Sequence, residues 1–287
     1  LTGIQHVLSN IQNLLKLSKQ SQQIKANIIE SYPYFDIDFN DIIYHIEIFI
    51  MELFYTNAID ESRSEAEFDS FESKHLLKTL RKREGDSVYF TDGQGKLFQG
   101  KIASTKPGLR VQFQLIEQLP WPPPSRSILG IGFIRPSRLD TLIEKATELG
   151  INKFHFFASR YTNYYSENTG RWDKIIRQAI KQSQRLYLPE IQISSSFSKF
   201  INTETGTDHK FLADQKSPDF VIERLYALRK KTNEDIIFII GPEGGFDDQE
   251  KRLAENHEFI PVSFGDNRLR SETAAISAAS YINLIRN

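Results

Sequence analysis

The apolar and polar positions divide the chain into two rhythms. From Met51 to about Leu119, short apolar runs alternate with turns. Ser87–Thr91 alternates as a strand, Asp92-Gly93-Gln94-Gly95 supplies turn chemistry, residues 97–103 return, and residues 111–115 add another strand. Such a run of short strands predicts a small barrel. After it, strands alternate with amphipathic helices. Residues 128–134 are apolar, and Leu139, Leu142, Ile143, Ala146 and Leu149 recur at helical spacing, with Ser137 and Asp140 read as the cap and Gly150 as the stop. Residues 151–157 form the next apolar run, and Trp172, Ile175, Ile176, Ala179 and Ile180 mark a second helix. Residues 211–213, Ile236–Ile240 and residues 259–264 follow as strands, and a last helix begins near Ser271. This alternation predicts an α/β parallel sheet. Between the two rhythms, Pro120-Trp121-Pro122-Pro123-Pro124 predicts an extended polyproline joint.

The sharpest local signal is Gly241-Pro242-Glu243-Gly244-Gly245, directly behind five apolar residues that read as a buried parallel strand. Its glycines permit a sharp turn and a close approach of backbone to a ligand. Asp247 and Glu250 have capping-box spacing for the next helix. A strand, a tight turn and a helix start together form the usual binding crevice of an open α/β sheet. A second such segment is Phe264-Gly265-Asp266-Asn267-Arg268-Leu269-Arg270-Ser271-Glu272-Thr273, where a strand end passes through a polar loop into an alanine-rich helix. The first-turn N–H groups of that helix suit a carboxylate.

Composition removes several chemistries. The 287 residues carry 36 Lys plus Arg against 37 Asp plus Glu, so no global field draws the chain to nucleic acid or membrane. There is no cysteine, and the six histidines never pair at helical ligand spacing, which argues against a metal centre. No membrane-length apolar stretch or signal peptide stands out, which predicts a cytoplasmic protein without membrane contact. Met51 is the only methionine, and residues 1–50 hold no arginine and are rich in Ile, Asn, Tyr, Phe and Lys. We therefore expect Met51 to be the start and residues 1–50 to be an upstream or dispensable extension. The competing reading is a native helix on Val7, Leu8, Ile11, Leu14 and Leu15.

Cations are grouped locally. The second helix offers Arg171, Lys174, Arg177, Gln178, Lys181, Gln182 and Arg185 away from its apolar stripe, a set suited to phosphate oxygens or to plain solvation. Arg135 and Arg138 precede or open the first helix of the α/β part, Arg160 follows a strand, and His75, Lys78, Arg81, Lys82 and Arg83 cluster in the N-terminal part. Tyr161, Tyr164, Tyr165 and Tyr187 stand near them, placed to stack on an unpaired base or to pack.

These segments, in this order, resemble the RsmE family of bacterial methyltransferases, which act on N3 of a uridine in the decoding region of 16S ribosomal RNA. The resemblance is carried by His75-Leu76-Leu77-Lys78-Thr79-Leu80-Arg81 with Gly85-Asp86, by Asp92-Gly93-Gln94-Gly95, and by Glu144-Lys145-Ala146-Thr147-Glu148-Leu149-Gly150. Arg171-Trp172 with Ala179, Gln182 and Arg185, then Leu188-Pro189-Glu190, and the two ligand-shaped segments complete it. Phe264 stands where the family often has leucine, and Ser271 where threonine is common.

The resemblance implies a small PUA-like β-barrel RNA-binding domain at 51–120 and an α/β SPOUT methyltransferase domain with a trefoil knot at 125–287. It also implies a homodimer, S-adenosylmethionine as cofactor, and 16S rRNA in the 30S ribosomal subunit as partner. Cofactor contacts then fall to Leu212, Gly241, Pro242, Glu243, Gly244, Gly245, Phe264, Gly265, Leu269, Arg270, Ser271 and Thr273. RNA contacts fall to Lys78, Arg81, Lys82, Arg135, Arg138, Arg160, Gln182 and Arg185. Catalytic candidates are Arg138, Arg270, Glu243 and Glu272, with no general base identified. Two rival readings remain at this point: a related knotted enzyme methylating a ribose 2′-hydroxyl, and a non-catalytic RNA-binding assembly factor. A nucleotide-phosphate binder is disfavoured, because no P-loop lysine is present.

Overall fold

The computed structural model describes residues 52–228 and 233–286. The expectations about residues 1–50 and a start at Met51 lie outside the described residues.

Two six-stranded sheets organise the described chain. The first pairs β1 (Leu53–Tyr55) in parallel with β4 (Ser87–Thr91). It continues antiparallel through β5 (Lys96–Ser104), β6 (Leu109–Gln118), β3 (Glu65–Phe68) and β2 (Ala58–Asp60). Alternate side chains point inward, so Phe54, Phe68, Val88, Phe90, Phe98, Ile102 and Val111 share one core. Helix α1 (Ser70–Lys74) is capped by Asp69 and runs on through a wider turn, His75–Thr79, whose Leu76 is fully buried in that core.

The second sheet is parallel throughout. Its order is β12 (Ile260–Val262), β10 (His209–Ala213), β11 (Ile236–Ile240), β7 (Ser127–Gly132), β8 (Lys153–Phe157) and β9 (Glu190–Ser194). Every residue of β7, β8 and β11 is buried, as strands covered on both faces require, including Lys153 and His155 among the phenylalanines of β8. One face packs against α2 (Pro136–Glu148), α3 (Gly170–Gln182) and α7 (Ser271–Arg286), through residues such as Leu139, Ile143, Ile176, Ile180, Ala275 and Ala278. The other packs against α4 (Phe197–Thr203) and α6 (Asp248–Asn256), through Phe197, Phe200 and Ala254. The short α5 (Val221–Tyr226) joins the first face.

Most expected elements are present, with three corrections. Helix α2 opens earlier than its polar residues suggested: Arg135 and not Ser137 is the cap, Pro136 takes the first turn, and Ser137 and Asp140 lie inside the helix. Proline needs no N–H there and carries the right φ, so it outranks a side-chain cap. The strand read over 259–264 contracts to Ile260–Val262. The proline joint bends at residues 121–122 and 124–125 in place of the extended run expected; Trp121 stacks on Tyr187 with centroids 6.1 Å apart, and the Tyr187 hydroxyl donates to Pro120 O at 2.7 Å. By contrast the capping box forms as read, with Glu250 N–H donating to Asp247 Oδ1 at 2.7 Å and Asp247 N–H to Glu250 Oε2 at 3.0 Å.

The basic face of α3 has another purpose than the sequence suggested. Lys181 bonds Glu72 of α1 and lies over the rings of Phe54 and Phe71, at 5.9 and 5.7 Å. Arg177 sits 4.8 Å from the Tyr55 ring centroid and pairs with Asp69 at 3.7 Å. These cations bind the two sheets together, while Lys174, Gln178 and Gln182 remain exposed. Main-chain bonds reinforce the contact: Gly95 N–H donates to Leu186 O, and Leu188 N–H to Gly93 O, both at 2.9 Å. Because the Glu72 side chain is only 4% exposed, Lys181→Ala strands a buried carboxylate. We expect a loss of about 3–5 kcal/mol in urea unfolding. The double change Lys181→Met with Glu72→Leu should restore most of it.

Candidate functional site

Strands β7 and β11 are neighbours, but the chain leaves them toward opposite ends of the sheet, which opens a crevice between their C-terminal ends. The glycine turn fills the floor of that crevice. A Cβ on Gly132, the last residue of β7, would fall 2.5 Å from Pro242 Cδ, so strand end and turn touch directly. Gly245 N–H closes the turn on Pro242 O at 2.9 Å. Gly244 packs so closely on Tyr161 that a Cβ would lie 2.6 Å from it. Gly245 and Gly265 adopt φ of +74° and +116°, conformations costly for side-chain-bearing residues, and open space lies beside both. Together they form a cradle with bare backbone on two sides.

Arg138 ties the parts together. Standing in the first turns of α2, it meets Glu243 of the glycine turn at 3.7 Å and Glu272 of the first turn of α7 at 3.5 Å. Arg135 N–H also donates to Glu243 Oε1 at 3.2 Å. The bend after Ile240 and the bend before Ser271 therefore meet at one rim. Glu243 Oε2 and Glu272 Oε2 are both buried and have no donor among the described residues. Leaving such an acceptor unmet costs about 1–3 kcal/mol, so each is placed to take a donor from a bound group. Apolar walls come from Phe264, whose ring lies 6.0 Å from Phe238 and 6.2 Å from Tyr281, and from Leu269 on the same core. Leu212 is fully buried within β10, and Ser271 is buried at the start of α7. Arg270 and Thr273 are exposed. Gly132 was not among the sequence candidates, and Tyr161 was read as a ring to stack on a base or to pack, not as a partner of the glycine turn. Their part follows from strand register and loop packing, which a glycine or tyrosine in isolation does not announce.

The cation candidates separate into groups. Arg135 and Arg160 are exposed beside this rim, Arg160 with its N–H on Glu250 Oε1 at 2.8 Å. Lys78 and Arg81 are exposed on the first sheet's helical turn, and the Lys82 ammonium donates to Ser87 O at 3.1 Å. Gln182 and Arg185 lie at the other end, because α3 runs back to the N-terminal ends of the parallel strands. Arg185 is a correction to the RNA set. Its Nη1 donates to Thr147 O at 2.6 Å and Ile151 O at 2.8 Å, locking the turn between α2 and β8. Burial lowers its pKa to about 10, still charged at neutral pH but turned inward. Tyr187 is likewise engaged by Trp121, whereas Tyr161, Tyr164 and Tyr165 remain exposed. Among the described residues, no group of three or more His, Asp or Glu is placed to hold a metal, and no helix is long and apolar enough to cross a membrane.

Comparison with known proteins gives the same picture. Residues 122–283 match the RNA methyltransferase domain family, and residues 71–114 match the RNA methyltransferase PUA domain. Ribosomal RNA small subunit methyltransferase E of Rickettsia conorii is 29% identical over 235 residues, covering 80% of this chain and 94% of its own. The protein of the same name from Bacillus subtilis is 26% identical over 227 residues, covering 73% and 87%. A crystal structure of ribosomal RNA small subunit methyltransferase E from Neisseria gonorrhoeae, bound to S-adenosyl methionine, superposes with a TM-score of 0.69 at 22% identity, covering 82% and 97%.

The cradle makes a stability prediction independent of any ligand. Gly245→Val forces a β-branched residue into the left-handed region and should cost at least about 1–2 kcal/mol in chemical denaturation. Gly206→Ala, with open space and no positive φ, should be neutral or slightly stabilising.

Proposed function

The chain belongs to the RNA methyltransferase family, and from that premise we propose that it methylates N3 of a uridine in the decoding region of 16S rRNA. The substrate is the small ribosomal subunit, and S-adenosylmethionine is the methyl donor. The observation that carries this reading is the meeting of two glycine-bearing bends through Arg138 at the crevice between β7 and β11.

The residues present fit such a cofactor. Bare backbone at Gly245 and Gly265 allows close approach, Gly241 and Gly244 let the turn close on Gly245 and Tyr161, Pro242 holds the turn, and Phe264 and Leu269 supply apolar walls. Leu212 packs on the opposite face of β10, with Phe197 and Ala254, and joins the proposal only through its strand's place beside β11, while Ser271 and Thr273 open α7 where main-chain N–H groups are available. The unmet oxygens of Glu243 and Glu272 suit amino or hydroxyl donors. When bound, the cofactor supplies an electrophilic methyl group; the protein's share is position and exclusion of water.

Uridine N3 lies on the Watson–Crick edge and loses a proton, so the base enters unpaired. Arg138 is spent on two carboxylates and serves as a positioning residue. Arg270, exposed on the same loop, is the cation we assign to the developing uridine anion. Glu243 and Glu272 are the groups we assign as proton acceptors. Arg135 and Arg160 hold RNA phosphates at the rim, and Lys78, Arg81 and Lys82 do so on the first sheet, which acts as the PUA-like RNA-binding domain. A trefoil knot around the cradle, a homodimer, a cytoplasmic location and domain limits at 51–120 and 125–287 complete the proposal. The family likeness supports them.

Purified small subunits incubated with the protein and labelled S-adenosylmethionine should gain one methyl group, mapped to a uridine base. Absence of label, or label on a ribose, would overturn the assignment. Arg270→Ala should lower kcat by about 10²–10³-fold with cofactor affinity nearly unchanged. Gly245→Val should weaken cofactor binding in calorimetry by about tenfold or more.

A further inference from the structure

A hollow of about 660 Å³ opens at the edge of the parallel sheet, between the end of β9, helix α4 and the loop that follows β8. Tyr165, Glu167, Ser194, Lys199 and Asn202 line it, and none of these belongs to the crevice described above. The two places are neighbours. Tyr165 meets Phe133 with centroids 5.0 Å apart, Phe197 of α4 meets Phe246 behind the glycine turn at 5.3 Å, and Tyr161 of the same loop covers Gly244.

The floor of the hollow has a fixed polarity. His155 is fully buried, with Nδ1 2.6 Å from Glu204 Oε1 and Nε2 2.8 Å from Ser194 Oγ. Lys153 Nζ reaches the same glutamate oxygen at 2.7 Å. Burial alone would raise the Glu204 carboxyl, but hydrogen bonds from His155 and Lys153 outweigh it and hold the pKa below the ordinary range. His155 Nδ1–H donates to the Glu204 carboxylate, and Nε2 takes the Ser194 hydroxyl. Ser194 lines the hollow, and its oxygen keeps a lone pair for a donor there. Glu167 takes the Tyr165 hydroxyl on Oε1 and offers Oε2 as a second acceptor, while Lys199, with one donor on Ser195 Oγ at 3.0 Å, and Asn202 bring further donors.

We propose that this hollow is a second RNA subsite, taking one unpaired nucleobase that bears an amino group and lies near the methylated position. The inference rests on the rRNA reading above for its ligand class, and it adds a base-selective contact outside the cofactor crevice. Adenine, cytosine and guanine each place an amino donor beside an acceptor, matching the Ser194 and Glu167 acceptors with the Lys199 or Asn202 donors. Uracil offers a single N–H on that edge, at N3 between two carbonyl oxygens, in place of the two N–H groups of an exocyclic amine, and so leaves one of those acceptors unmet. The exposed Tyr165 ring supplies the stacking face.

The test is a titration of the full chain with AMP, CMP, GMP and UMP by ligand-observed NMR, with S-adenosylmethionine present to cover the neighbouring cradle. The amino-bearing nucleotides should bind in the millimolar range, and UMP several-fold more weakly. Tyr165→Ala and Lys199→Ala, both at exposed positions, should weaken that binding by about fivefold or more. In turnover assays the same variants should raise KM for small subunits while kcat and cofactor affinity hold. Absence of nucleotide binding, equal binding of UMP, or variants that match the parent would overturn the proposal. If the parent binds these nucleotides but fails to methylate RNA, the activity assignment falls and the subsite stands; if it methylates and the variants are indistinguishable, the reverse holds.

Discussion

Six strands running in one direction oblige every loop that leaves a strand to emerge on the same rim of the sheet. That constraint assembles the site. The glycine turn follows β11, the polar loop follows β12, Arg135 and Arg138 follow β7, and the tyrosine loop follows β8. Residues more than a hundred positions apart thereby become neighbours without any local signal to pair them. Reversal of the strand order between β7 and β11 then decides where along the rim the crevice opens.

Much of this was legible because local chemistry and global fold agree. Five apolar residues at 236–240 are a buried parallel strand, Asp247 and Glu250 form the reciprocal cap, and Gly150 ends α2 at φ +97°. The apolar stripes of α2 and α3 face the core as their spacing requires. What periodicity does not carry is the destination of charge. Lys181, Arg177 and Arg185 look alike on a helical wheel, yet the first two lie on aromatic rings and carboxylates of the other sheet and the third caps a turn through its guanidinium. Long basic side chains bury their stems and choose partners by tertiary packing. Sequence spacing marks such a face as polar and stops there.

The charge arrangement at the rim is similarly non-local. Arg138 between Glu243 and Glu272 is a small network with two carboxylates for one guanidinium. Such a network holds two loops in register while leaving negative charge and unmet acceptors facing the cradle. The buried Lys153, His155 and Glu204 set has the opposite character: its charges are matched and its hydrogen bonds point inward, apart from the Ser194 hydroxyl at its end. One cluster is left incomplete at the rim, and the other is closed inside the sheet.

The seam between the two sheets has a mechanical meaning. Lys181 and Arg177 rest on aromatic faces and pair with the buried Glu72 and the exposed Asp69, and the turn at Gly93 and Gly95 is stitched to residues 186–188 by main-chain bonds. The span from the basic turn around Lys78 to the crevice is thus built into the protein, like the jaws of a fixed gauge. The seam therefore works as a ruler between the two sheets, so a substitution that loosens it alters a distance as well as a stability.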